Sequence, residues 1–544
     1  MLGPSVPRTP RHFPGWISPA LALLVVAAVY FHRLDRPLLW EDETYTGIQA
    51  RNLLHHGFPT AYDGRNVLLY QNGAQLNRDL VPEEAPWAQY YLGAASLVLC
   101  GDDTAGLRVL FVLTGLLAFF PVRAVLRSRV RYPDCIAALA LLAPQIVLFQ
   151  RNARYYPLLI FLYAALVWHV CADFRSARVR FVLAVAILTL LFHTHPFAAV
   201  CCGAALALFC VCFRRAALGG YLAATGIGLL SWLAWGELLG PTLGRTPRFF
   251  TDVGTHFGWW LGSFLAGLKS TATDLDVVGC LPALLWLAAL ALLLGRNRRA
   301  LGALGRDPLP AFVLMTLAVQ TVAGAALFGY EGEAHYAVLR YMPHLLVFAL
   351  VLLFLALDAA VRPGWLFLLV CLAGVACNLG SLSYWVTPAQ RSVPASWLAP
   401  VYAEILHPPP GPWDGVLARL RSDPVLSPAR DQAVMAMLPT AQGTLIFYVG
   451  DLYAVRPGWE LPPEACGEAM LRVMGDAACR RIYAQPEWIV NVGLAGFAGD
   501  GYVTAALAPS DRPRPVDGGR PELTRHSFPR PGTGDGLTLL RRAD

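Results

Sequence analysis

Apolar stretches of about twenty residues recur through the first 385 positions of this 544-residue chain, and that recurrence constrains the fold most. A helix needs roughly 17–25 such residues to cross a bilayer, where each backbone N–H and C=O must be satisfied within the segment. Eleven runs qualify, near 15–34, 106–126, 134–150, 155–172, 179–195, 196–213, 219–238, 277–294, 308–328, 342–358 and 365–383. Only 15% of the residues are charged, against roughly 25% in soluble domains. The expected class is a polytopic α-helical membrane protein with about eleven transmembrane helices. The first run follows Arg8 and Arg11 with no small-residue cleavage site before the next charges, so it reads as a retained span. Trp87–Cys100 is apolar but only 14 residues long, with Trp87, Tyr90 and Tyr91 near its start, and reads as interfacial or re-entrant.

The net charge of +7 is carried by arginine, Lys269 being the only lysine. Most arginines sit in short loops between apolar runs, which is a topology signal and not a nucleic-acid one. With the N-terminus in the cytoplasm, Arg127, Arg129, Arg131, Arg175, Arg178, Arg180, Arg214, Arg215, Arg296, Arg298, Arg299, Arg306 and Arg362 all fall inside. That parity holds only if Trp87–Cys100 does not cross. The loop 35–105 and the chain after Val386 then face outward. Arg151, Arg154, Arg245, Arg248 and Arg340 break the bias by lying outside near span ends, and Arg154 and Arg340 are each followed by tyrosine, Tyr155 and Tyr341, at the mouth of a span.

In the first outer loop stands Trp40-Glu41-Asp42-Glu43-Thr44-Tyr45, ahead of a helical run from Glu43 to His56 that Gly57 and Pro59 stop. Asp42 is placed to cap that helix, or to act as a carboxylate held at the membrane face. His193 and His195, in FHTHPF, lie at the outer end of another span, where a polar helix-end role outweighs metal binding. Among the twelve cysteines no metal spacing stands out, and most lie in apolar runs as small hydrophobes.

The stretch WEDETYTGIQARNLLHHGFP resembles the Asp-Glu motif in the first external loop of GT-C membrane glycosyltransferases. It is most similar to the branch of protein O-mannosyltransferases and lipid A aminoarabinose transferases. Pro86, Gly101 and Arg108 match the family's following stretch, although Ala85-Pro86-Trp87 stands where the family has a lysine and two prolines. RNARYYPLL resembles the second external motif but has no second acidic residue, and RYMPHLL resembles the late Arg-Tyr-x-x-Pro motif with its proline one position early. Glu84 and His256 loosely match positions that bind a metal in the aminoarabinose branch, so the resemblance implies a divalent metal there; nothing else in the chain calls for a cofactor. The resemblance covers residues 15–385.

The family takes a sugar, hexose or pentose, from a polyprenyl-phosphate carrier and passes it to an acceptor with inversion. It implies Asp42 as the base or acceptor-positioning carboxylate, supported by Glu43. Arg151, Arg154, Tyr155, His195, Arg340 and Tyr341 are then the residues expected to hold substrate and lipid phosphate. Arginine suits that work because its fork donates two hydrogen bonds at once. The implied partners are the polyprenyl-phosphate sugar, a lipid, glycan or protein acceptor and membrane lipids, at the outer face of the cytoplasmic membrane. Two other classes fit many spans and outward arginines: a lipid-linked glycan flippase, which predicts inverted repeats and broken mid-membrane helices not visible here, and a polyprenyl-pyrophosphate glycan ligase or polymerase.

From about residue 394 the composition turns polar and proline-rich. Residues 394–544 read as an outward α/β domain, with helices at Val416–Leu420 and Ala469–Met474 and strands at Thr444–Tyr448, Trp488–Val492 and Leu537–Leu540. Cys466 and Cys479 lie in it, where an oxidising exterior permits a disulfide; two free thiols fit as well. Residues 508–533 read as an irregular loop.

Overall fold

The structure is a computed structural model. It describes residues 17–36, 38–39, 41–68, 76–77, 79–82, 87–235, 307–327 and 341–360, with 434–438, 442–450, 453–455, 468–482, 488–492, 502–508 and 537–542 toward the C-terminus, and isolated positions 261, 405 and 417. The expected spans 277–294 and 365–383 and the residues Glu84, His256 and Arg340 lie outside the described residues.

The described helices are α1 (Ile17–Phe31), α2 (Glu41–His56), α3 (Trp87–Cys100), α4 (Thr104–Leu117), α5 (Phe119–Leu126), α6 (Pro133–Leu141), α7 (Pro144–Gln150), α8 (Tyr156–Cys171), α9 (Ala177–Thr194), α10 (Pro196–Phe213), α11 (Leu218–Trp235), α12 (Pro308–Leu327) and α13 (Pro343–Ala360). Among the described residues five segments are long and apolar enough to cross a membrane: Thr104–Leu126, Ala177–Thr194, Pro196–Phe213, Arg215–Ala234 and Pro308–Ala326. Parts of α1, α8 and α13 form shorter apolar helices. The chain is a multi-pass membrane protein. The run read as one span over 134–150 is two helices, α6 and α7, because Pro144 restarts the helix after a break at Leu142 and Ala143.

Side chains tie the two ends of the bundle differently. At one end Arg123 pairs with Asp134, Arg129 forks onto Asp307 at 2.8 and 2.9 Å, and Arg131 meets Asp358 at 2.8 Å. The basic loop after α5 is thereby fastened to α6 and to the ends of α12 and α13. At the opposite end the α1–α2 connection, the α7–α8 turn and the α9–α10 turn meet. Before helix α3 Asn52 donates to Thr60 O at 2.7 Å and Ala61 to Leu80 O at 2.7 Å, and after it Arg51 pairs with Asp102 at 2.8 Å. The helix packs between α2 and α4 and leaves Tyr91, Val98 and Leu99 exposed, an apolar face suited to the membrane interface.

The topology is testable by thiol labelling. Cysteines placed at the exposed positions His56 and Arg472 should react with an impermeant reagent on intact cells, and one at Ser128 should not, in a background lacking the native cysteines. Labelling at 56 and 128 together would show that the arginine-based orientation is wrong.

Toward the C-terminus, among the described residues, five strands form one sheet in the order β2 (Tyr453–Val455), β1 (Val434–Leu438), β3 (Trp488–Val492), β5 (Leu537–Arg542), β4 (Tyr502–Ala508). The β1–β2 and β1–β3 pairs are parallel, and β5 runs antiparallel to both β3 and β4. Helices α14 (Gln442–Tyr448), α15 (Glu468–Met474) and α16 (Asp476–Ile482) accompany it. Thr444–Tyr448, expected as a buried strand, is helical instead: its apolar residues Leu445, Ile446 and Phe447 are buried, and a short buried run has no periodicity that separates strand from helix. Strands β1, β2 and β4 were not foreseen. Cys479 is disulfide-bonded, while Cys100, Cys135, Cys171, Cys201, Cys202, Cys210 and Cys212 are free.

Candidate active site

Helix α2 carries the acidic motif. It ends where the sequence places it: Gly57 takes φ +79° and its N–H closes on Leu53 O at 2.9 Å, a left-handed terminus that glycine reaches without strain. Its start differs. The helix begins at Glu41, so Asp42 lies inside the first turn and not at the capping position.

The neighbouring carboxylates then part. Glu43 is fully buried. Its Oε1 accepts from Arg108 Nε at 2.8 Å and from the Ala153 N–H at 2.7 Å, and its Oε2 accepts from Arg108 Nη2 at 2.6 Å. Arg108 also donates to Leu34 O at 3.0 Å. This fork joins α2 to α4 and to the α7–α8 turn. The Asp42 side chain is 14% exposed, and its Oδ2 lies 3.4 Å from Arg154 Nη2. Arg154 Nη1 also donates to Asp42 O at 3.3 Å. The pair stands at the edge of the packed bundle, close to solvent.

Aromatic rings continue the site from Arg154. Its guanidinium lies 5.7 Å from the Tyr155 ring centre, and Tyr155 meets the His195 ring edge-on at 4.7 Å. His195 in turn meets Tyr341 at 5.9 Å. The His195 position follows from helix capping: it precedes Pro196 at the start of α10, and its Nδ1 accepts from the Ala198 N–H at 3.1 Å. Nδ1 is thus the unprotonated nitrogen and Nε2 carries the hydrogen. His193 turns the other way, its Nε2 3.3 Å from Ser231 Oγ on α11.

Asp42, Arg154, Tyr155, His195 and Tyr341 are therefore linked side chain to side chain into one cluster at this end of the bundle, called the mouth below. Arg151 does not join them. Its guanidinium turns inward and donates to Val29 O, Tyr30 O and His32 O at 2.8–3.0 Å and to Arg33 O and Arg36 O at 3.2 and 3.4 Å. It closes the carbonyl end of α1, where a cation is favoured.

Two residues beneath the mouth escaped the sequence reading. Gln320 and His344 are fully buried; Gln320 donates to Tyr341 O at 2.7 Å and its Oε1 is 3.1 Å from His344 Nε2. They hold the backbone that presents Tyr341. Polar residues inside apolar spans were the available signal. Among the described residues no cluster of three or more His, Cys, Asp or Glu side chains is arranged to hold a metal.

Neither a family model nor a curated protein matches the chain. Solved structures do. ArnT from Cupriavidus metallidurans in the apo state aligns with a TM-score of 0.54 at 17% identity, over 88% of this chain and 93% of that one. The same protein bound to undecaprenyl phosphate aligns with a TM-score of 0.55 at 15% identity, over 97% and 98%. The chain has the GT-C fold. An oligosaccharyltransferase from Archaeoglobus fulgidus also aligns, with a TM-score of 0.42 at 11% identity, over 87% of this chain and 68% of that one.

Proposed function

We propose that the protein is a membrane glycosyltransferase that moves a hexosyl or pentosyl group from a polyprenyl-phosphate carrier to an acceptor hydroxyl at the outer face of the cytoplasmic membrane. The observation that carries this reading is the pairing of Asp42 with Arg154 at an aromatic-lined mouth. A base and a phosphate-binding cation are what such a transfer needs side by side. The acceptor hydroxyl gives its proton to Asp42 as its oxygen bonds to the anomeric carbon. The bond from that carbon to the phosphate oxygen breaks, and the electron pair leaves with the phosphate. Arg154 holds the growing phosphate charge, with Arg340 as a second cation; Tyr155, Tyr341 and the Nε2–H of His195 line the sugar. Attack opposite the leaving group inverts the anomeric centre.

Glu43 and Arg151 support this site from behind, one fixing α2 and the other the end of α1. A divalent metal at Glu84 and His256 stays part of the proposal, with no step assigned to it. The acceptor is a lipid, a glycan or a protein, and the part from 394 to 544 forms an outward domain. The shared fold supports the choice of donor, since ArnT was solved with undecaprenyl phosphate bound.

Purified protein given a synthetic polyprenyl-phosphate monosaccharide and a cell-envelope extract that supplies lipid, glycan and protein hydroxyls should release the polyprenyl phosphate and transfer the sugar to the extract. Movement of the intact lipid across vesicles without cleavage would instead favour a flippase, and turnover of pyrophosphate-linked glycans alone would favour a ligase.

Arg154→Lys keeps the charge but loses the planar fork. Inhibition of transfer by free undecaprenyl phosphate should weaken about tenfold in this variant, the scale of one charge-assisted hydrogen bond. Unchanged inhibition would remove Arg154 from the phosphate site.

A further inference from the structure

A third face of α2, along Thr44, Gly47 and Arg51, is covered by α14 from the far end of the chain. The two helices touch through glycine: a Cβ on Gly47 would overlap the Phe447 ring, and one on Gly443 would overlap the Thr44 hydroxyl. Arg51 locks the contact. Its guanidinium lies 3.9 Å from the centre of the Phe447 ring and donates to Phe447 O at 2.8 Å, while its Nε holds Asp102 at 2.8 Å.

Tyr448 reaches furthest. Its hydroxyl accepts from the Leu39 N–H at 2.7 Å and bonds Thr104 Oγ1 at 2.8 Å. Leu39 lies three residues before Asp42, and Thr104 four before Arg108. One phenol thus joins the strand of chain entering the acidic helix to the start of the helix whose arginine grips Glu43. Burial raises the Tyr448 pKa above its ordinary value, so the hydroxyl keeps its proton at neutral pH.

We propose that Tyr448, clamped in place by Phe447 and Arg51, is a positioning residue for the Asp42 carboxylate, so that the C-terminal part of the chain sets the geometry of the active site. The role assigned to Asp42 rests on the proposed transferase activity; the clamp on α2 does not. The bonds of the Tyr448 hydroxyl are to Leu39 N and Thr104 Oγ1, so its effect on Asp42 passes through the backbone that enters α2. A misplacement of about 1 Å at a reacting group costs roughly 100-fold in rate.

Tyr448→Phe keeps the buried ring and removes only the hydroxyl. Two readouts test it on the full-length protein. By hydrogen exchange, amides over residues 39–47 should exchange at least about tenfold faster, while those of α8 stay as in the parent. In transfer from a polyprenyl-phosphate monosaccharide, kcat should fall about tenfold or more with the donor KM within about twofold, because Arg154, Tyr155 and Tyr341 stand on other elements. Unchanged exchange over 39–47 overturns the clamp whatever the rate does. Faster exchange with parental kcat, or a raised KM at parental kcat, overturns the link to Asp42. If the parent itself transfers no sugar while the exchange changes, the transferase reading fails and the clamp on α2 stands. Should the phenylalanine variant not fold, Gly47→Ala pushes the Phe447 ring aside and is read by the same two measurements.

Discussion

In an Asp42→Asn enzyme, sugar transfer is expected to fall at least about 100-fold, since removing a general base typically costs about 10²–10⁴. The amide keeps the size of the side chain and loses the ability to take a proton. Expression and thermal unfolding should stay close to the parent, because Asp42 lies in the first turn at the edge of the bundle and α2 is held by Glu43. Inhibition by undecaprenyl phosphate should persist or tighten, since Arg154 loses its competing carboxylate. The measurement is a rate with a synthetic donor at saturating concentration. A rate near the parent's would end the proposed role of Asp42 as base.

The second large effect concerns folding. Arg108 and Glu43 form an ion pair with side-chain exposures of 4% and 0%. Leaving one half of such a pair buried alone costs about 3–5 kcal/mol, because an uncompensated charge remains in a medium that solvates it poorly. Arg108→Met should therefore lower stability by about that amount, measured by denaturant or thermal unfolding in detergent micelles. Glu43→Leu together with Arg108→Met removes both charges and should recover all but about 1–3 kcal/mol. That residue is the cost of leaving the Ala153 N–H, now bonded to Glu43, without an acceptor. A single variant as stable as the parent would show that the pair does not hold α2 to α4.

Asp42 and Glu43 are adjacent in sequence yet serve different ends, one at the rim and one in the core. Asp42 and Glu43 carry the same group, follow the same hydrophobic helix and match the same motif. They diverge because successive residues on a helix point about 100° apart, so one meets Arg108 in the core and the other meets Arg154 at the rim. Arg151 and Arg154 divide in the same way. Both are outward arginines in one tetrapeptide, yet Arg151 closes the end of α1 and only Arg154 reaches the mouth. Arg108 stood within the resembling stretch, but its partner lies 65 positions away and no local pattern announces it.

The sequence alone determined what length and hydropathy control. A crossing helix must satisfy its own backbone, so apolar runs of sufficient length announce themselves, and α4–α5, α9, α10, α11 and α12 stand where such runs stand. It also determined local punctuation: Gly57 ending α2, and Pro196 starting α10 behind a capping His195. Trp488–Val492 was legible as a strand by its run of β-formers, whereas the buried Thr444–Tyr448 run was misread because four or five apolar residues fit either state. The tertiary structure decided which charges are paired, which point into the mouth, and that Tyr448 grips the entrance of a helix about four hundred residues earlier in the chain. Those are properties of packing between distant segments. Many pairings of the same local patterns are sterically open, and only the burial of the whole core selects among them.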